Sequence, residues 1–175
     1  MTAFLAGGVV AMFQGTIDQL VVLAVFLPVL AGQSGNTGCQ ALAVTLRGIT
    51  LGEIKSGDAR ALIAKEGMLG AMNGAPVGIV SGIAMYIIAN AQHSPHALVL
   101  AVVVFLAMVG ACTISGISGA IVPLTLKRFG TDPATASSIF LTTATDVGSM
   151  GMLLGLATIL IRGTQIRAPL LIQTP

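Results

Sequence analysis

Residues Leu20–Leu46 read LVVLAVFLPVLAGQSGNTGCQALAVTL, an apolar run broken by the glycine-rich polar stretch Gly32–Gln40, GQSGNTGCQ. A bilayer is crossed by about 20 apolar residues, and this run is longer. Glycine, asparagine and glutamine are tolerated at that depth where the backbone lines a wet cavity or is buried in protein. On an ideal helix Gly32, Asn36, Cys39, Gln40 and Ala43 share a face about 100° wide. Asn36 stands eleven residues before Arg47, about 16 Å from that end at 1.5 Å per residue. A helix–helix contact made through Gly and Asn is the alternative to a water-lined wall.

The rest of the chain is equally apolar. Its 175 residues are 55% hydrophobic and 8% charged, with a mean hydropathy of +0.97. A soluble domain carries about 25% charged residues, so the composition specifies an integral membrane protein in contact with lipid, and the long apolar runs that follow make it all-α. A net charge of +2 is too small to imply a nucleic-acid partner. Cys39 and Cys112 lie in separate apolar runs, where free buried thiols are expected and a disulfide framework is not.

Four full spans are expected, at about 19–46, 67–91, 96–126 and 133–161. A shorter apolar stretch at about 2–13 lacks the basic start of a signal peptide. It reads as the end of a first helix whose beginning is missing, as in a trimmed membrane domain, with a re-entrant or frayed segment as the alternative. The segment 47–66 carries Arg47, Lys55, Arg60 and Lys65, and Lys127 with Arg128 follow the fourth helix. Both fall on one side of the membrane. The positive-inside rule makes that side cytoplasmic and leaves the C-terminus outside a cell membrane. Asp132 before Pro133 is an N-cap followed by proline at the first helical position. Pro28 and Pro76 are expected to kink their helices. Gly70, Gly74, Gly78 and Gly82 recur every four residues, a stripe that lets a neighbouring helix approach closely.

One acidic residue is deep. Asp146 is thirteen residues beyond Pro133 and sixteen before Arg162, about 20 Å and 24 Å along a helix. A mid-membrane carboxylate costs at least about 2.5–3.5 kcal/mol on the insertion scale and usually marks an ion or proton path. Thr135, Ser138, Thr142, Thr145, Asp146 and Ser149 fall within an arc of about 100°, a hydroxyl stripe around one carboxylate. An Asp hydrogen-bonded to the hydroxyls of a packed helix is the structural alternative. Neither stripe contains His, which argues against a Zn²⁺ or Cu²⁺ site. His93 and His96, in HSPH, read as a solvated loop rather than a metal site.

LPVLAGQSGNTGCQALAVTLRGI and FGTDPATASSIFLTTATDVGSMGMLLGLA resemble the signatures of the MgtE magnesium channel family, and KEGMLGAMNG resembles that family's third-helix start. The resemblance covers essentially the whole chain as a five-helix transmembrane bundle. It implies a homodimer whose second and fifth helices line a pore on the two-fold axis, with hydrated Mg²⁺ as the conducted and pore-bound ion. Asp146 would bind that ion, with Asn36 as a further ligand. Gly32, Gly35, Cys39, Gln40, Ser138, Thr142, Thr145 and Ser149 would line the path. Gly35 and the small-residue role of Thr142, one turn before the Asp, come from the resemblance alone. Cys39 stands where many members have Asn, which bears on selectivity. Ser138 stands where some members carry a larger polar residue. The family's cytosolic sensor domains, including paired CBS modules, have no counterpart in these residues.

Mg²⁺ prefers octahedral oxygen ligands and sheds its waters reluctantly. Carboxylates, amide oxygens and hydroxyls around a wide path suit it. A divalent-cation channel is therefore the expectation. A cation-coupled transporter or exchanger is the alternative, and a non-conducting subunit with a structural Asp is a third class. No nucleophile–base pair, phosphate loop or cofactor motif suggests an enzyme.

Overall fold

The computed structural model describes residues 2–54 and 57–167. They form α1 (Thr2–Met12), α2 (Gln14–Gln19), a 3-10 stretch (Val21–Phe26), α3 (Leu27–Thr50), α4 (Ala59–Ala91), α5 (Ala97–Arg128) and α6 (Pro133–Arg167), with no strand among the described residues. Val21–Thr50, Ala59–Ala91, Ala97–Arg128 and Pro133–Leu160 are long and apolar enough to cross a membrane. These are the second to fifth expected helices, and α1 with α2 takes the place of the partial first one. Lys55 lies outside the described residues, as do the side chains of Arg162 and Arg167.

Helix α5 is the spine, touching α3, α4 and α6, while α1 runs along α6 and α3 barely meets α4. Leu100, Val103, Val104 and Met108 of α5 are fully buried against Leu23, Phe26 and Leu30 before and within α3, Met85 of α4, and Leu153 with Ala157 of α6. The glycine stripe of α4 packs as its spacing predicts. A methyl group on Gly74 would sit 3.0 Å from the Met108 carbonyl oxygen, one on Gly78 3.2 Å from that of Phe105, and one on Gly82 3.1 Å from that of Ala101. Gly70 faces the Cys112 carbonyl directly. Small residues here bring two backbones together, which is what packs helices where lipid is as apolar as leucine. On another side of α5, a methyl on Gly119 would meet Gly38 O at 2.5 Å and Leu42 N at 2.9 Å, so α3 is held equally close.

Several boundaries differ from expectation. Helix α4 begins at Ala59 rather than near residue 67, so Glu66 stands two turns inside it instead of at its start. With 33 residues, α4 reaches about 50 Å, against about 30 Å of hydrocarbon. Its charged first turns can extend into the interface. Pro28 does not kink a long helix. It occupies the first turn of α3, where its missing N–H leaves no bond unmade, and the chain before it winds as a 3-10 helix. Pro76 lies inside α4, which continues through it.

Helix ends follow local chemistry. Asp132 caps α6: its Oδ1 accepts from the Ala134 N–H at 3.0 Å and its Oδ2 from the Thr135 hydroxyl at 2.9 Å. Helix α5 ends at Gly130, φ +74°, with the Thr131 N–H reaching Leu126 O at 3.1 Å. The same left-handed cap closes α4 at His93, φ 55°, where Ser94 N–H meets Ala89 O at 2.9 Å. The hydroxyls of Thr16 and Thr158 share a 2.8 Å hydrogen bond that ties α2 to α6.

Candidate functional site

The polar stripe of α3 is solvent-facing in the protomer. Gly32, Asn36, Cys39, Gln40 and Ala43 are exposed and Gly35 is half-buried. A methyl group on Gly32 or Gly35 would meet nothing within 4 Å, unlike the packed glycines of α4 and α5. Cys39 is therefore an exposed free thiol, contrary to the expectation of two buried ones, whereas Cys112 is buried as expected.

The stripe of α6 divides. Ser138 and Thr142 are exposed, Asp146 is half-buried, and Thr145 and Ser149 are 2% and 1% exposed. The division comes from the contact with α3. A methyl on Gly38 would stand 3.0 Å from Thr145 Cγ2 and 3.1 Å from Leu141 Cδ1, so Thr145 fills the seam between the two helices. Asp146 lies about 100° further around α6 and escapes it. Thr135, at the other end of the stripe, is engaged in the Asp132 cap.

Hydroxyls of the site bond to their own helices. Thr142 donates to Ser138 O at 2.8 Å, Thr145 to Thr142 O at 3.0 Å, Ser149 to Asp146 O at 3.1 Å and Thr37 to Gln33 O at 3.1 Å. The carboxylate of Asp146 and the amides of Asn36 and Gln40 accept and donate no hydrogen bond among the described residues. The structure brings α3 and α6 side by side but does not converge every candidate. Asn36 is about 160° around α3 from Gly38, on the side away from α6, whereas Gly35 and Cys39 lie nearer, about 60° and 100° from Gly38 and on one side of the seam. Among the described residues no group of three His, Cys, Asp or Glu gathers, and His93 with His96 forms no such cluster.

Glu66 is the polar residue that sequence reasoning passed over. It is 5% exposed and lines a cavity between α3 and α4 with Thr37, Gln40, Lys65 and Asn73. The KEG motif marks its position, but placing it at a helix start made it look solvated.

Fold and site together define a multi-pass helical membrane protein whose unpartnered polar groups on α3 and α6 are a carboxylate and amides. The chain belongs to the MgtE family, described as divalent cation transporters, whose profile matches residues 27–156. It is 31% identical over 150 residues to the magnesium transporter MgtE of Enterococcus faecalis, an alignment covering 86% of this chain and 32% of that protein. Its identity to the magnesium transporter MgtE of Bacillus subtilis is 32% over 154 residues, covering 88% and 33%. With that of Thermus thermophilus it is 26% over 161 residues, covering 92% and 34%. The chain spans about a third of the length of these relatives.

Proposed function

We propose that two copies of this chain form a pore on a two-fold axis that conducts hydrated Mg²⁺. Helices α3 and α6 of each copy line it, and paired Asp146 carboxylates hold the ion at mid-membrane. The observation that carries this reading is Asp146 itself, deep in a spanning helix, half-buried, and without a hydrogen-bond partner among the described residues. Isolated, such a carboxylate is costly in a membrane. A cation shared with a second copy removes the cost. The outward direction of Asn36 and Gln40, away from α6 of their own protomer, also favours a second copy across the axis.

Roles follow from placement. Asp146 supplies charge, Asn36 and Gln40 supply amide oxygens, and Ser138 and Thr142 accept from ion-bound waters. Gly32, Gly35 and Cys39 set the width of the path. Thr145 and Ser149 support α6 from behind, inside the protomer. A path of this kind holds Mg²⁺ through its waters, which suits an ion that dehydrates reluctantly. Arg47, Lys65, Lys127 and Arg128 face the cytoplasm by the positive-inside rule.

The test is electrical recording from purified protein in liposomes with Mg²⁺ as the sole permeant cation. Unitary currents are expected, and Asp146→Asn lowers Mg²⁺ flux at least tenfold while insertion and dimerisation persist. Flux that saturates and requires a gradient of a second ion would assign an exchanger instead. Wild-type flux in Asp146→Asn would sink the pore reading.

A further inference from the structure

We propose that the cavity between α3 and α4 is a second binding site for a hydrated divalent cation, with Glu66 as its anionic ligand. The cavity measures 240 Å³ and is walled by Glu66, Gln40, Asn73, Thr37 and Lys65 together with apolar residues. One water needs about 10–15 Å³ of such space, so an ion with several waters fits. Glu66 is 5% exposed, and among the described residues its carboxylate makes neither a hydrogen bond nor an ion pair. Its carboxylate oxygens are not among the sealed, unpaired polar atoms of the described residues, so they open to the cavity, where a hydrated cation can reach them and supply the missing counter-charge. Lys65 is on the same wall but exposed, and it does not pair with Glu66.

The remaining groups suit a cation that keeps its water. Gln40 and Asn73 carry amide oxygens. Thr37 is buried, with its hydroxyl donating to Gln33 O, and contributes to the wall rather than to the ligands. One carboxylate among neutral oxygens is a hard, loose site of the kind Mg²⁺ uses, bound largely through its hydration shell. Lys65 beside it weakens the binding, as exchange with the bulk requires. Glu66 stands about 12 Å along α4 from Asp58, and Gln40 about 10 Å along α3 from Arg47. The site therefore lies toward the Arg47 end of the bundle. Gln40 belongs both to its wall and to the exposed polar face of α3, so the two regions adjoin.

The experiment counts Mn²⁺ bound to the purified full chain by the loss of the free-ion electron-spin-resonance signal. An Asp146→Asn background removes the mid-membrane carboxylate, so this readout succeeds or fails independently of the pore. One Mn²⁺ per protomer is expected, displaced by Mg²⁺. Adding Glu66→Gln weakens it at least tenfold. Asn73→Leu, which fills the cavity and keeps the carboxylate, weakens it likewise, and Lys65→Met tightens it severalfold. Should Glu66→Gln not fold, the opposite shifts of Asn73→Leu and Lys65→Met decide the matter. Unchanged Mn²⁺ binding in the Glu66→Gln or Asn73→Leu protein, or none in the Asp146→Asn background, overturns the proposal.

Discussion

Glycines within the spanning helices occur in two settings, packed against a neighbour or open, and substituting alanine in each separates packing from passage. At Gly119 the new methyl would lie 2.5 Å from Gly38 O, 2.7 Å from Ala41 Cβ and 2.9 Å from Leu42 N. Carbon contacts are optimal at about 3.5–4.0 Å, so three partners are about 1 Å too close. Two of the three are backbone atoms that no rotamer change can withdraw. Helix α3 must move off α5, and overpacking of this kind costs about 1–3 kcal/mol. At Gly32 and Gly35 the methyl meets nothing within 4 Å. All three substitutions gain about the same helix propensity, about 0.8–1.0 kcal/mol, which cancels when variants are compared. Gly119→Ala should thus be about 1–3 kcal/mol less stable than Gly35→Ala. Thermal unfolding in one detergent measures this. Mg²⁺ flux into liposomes should fall in Gly32→Ala and Gly35→Ala although both remain folded. Equal stability of Gly119→Ala and Gly35→Ala would refute the packing argument. Wild-type flux in both outer variants would refute the assignment of that face to the ion path.

Asp132→Ala removes the acceptor for the Ala134 N–H and the Thr135 hydroxyl, and should cost about 1 kcal/mol in unfolding experiments. Cys39, exposed, should react with a membrane-permeant thiol reagent in the folded protein, and Cys112, buried, only after unfolding; mass spectrometry of the labelled protein reads both. Cys39→Asn places an amide on the exposed face and should shift Mg²⁺ over Ca²⁺ preference in flux competition. His93→Gly relieves a left-handed backbone that costs a residue with a Cβ about 1–2 kcal/mol, and should raise the unfolding temperature.

Apolar run length sufficed to count the spans, because a bilayer imposes one length on them all. It did not locate the start of α4. Arg60, Lys65 and Glu66 look like loop residues when charge is equated with solvent, yet a helix longer than the bilayer is thick carries charge in its interfacial turns. The error had a chemical consequence, since it kept Glu66 from being seen as buried. The 3-10 stretch before Pro28 was likewise hidden, because its residues are as apolar as the helix they precede. Helical periodicity did place Asp146, Thr142 and Thr145 on one arc. It could not say where along that arc α3 would dock, and the seam at Gly38 buries Thr145 while leaving Thr142 free. Cys39 and Cys112 sit in similar apolar runs and differ only in which neighbour covers them. The α4 glycines were legible because four-residue spacing of the smallest residue has few uses besides close approach.

The inward hydrogen bond of one hydroxyl has an electrostatic consequence. Exposed Thr142 commits its proton to Ser138 O, so it turns lone pairs, and no donor, toward the exterior. An approaching chloride or phosphate finds an oxygen of its own sign there. An aquo-cation, whose outermost atoms are all water hydrogens, finds an acceptor. This polarity is set by helix geometry rather than by ionised groups, so the hydroxyl retains a bias against anions even where the carboxylate is replaced by an amide.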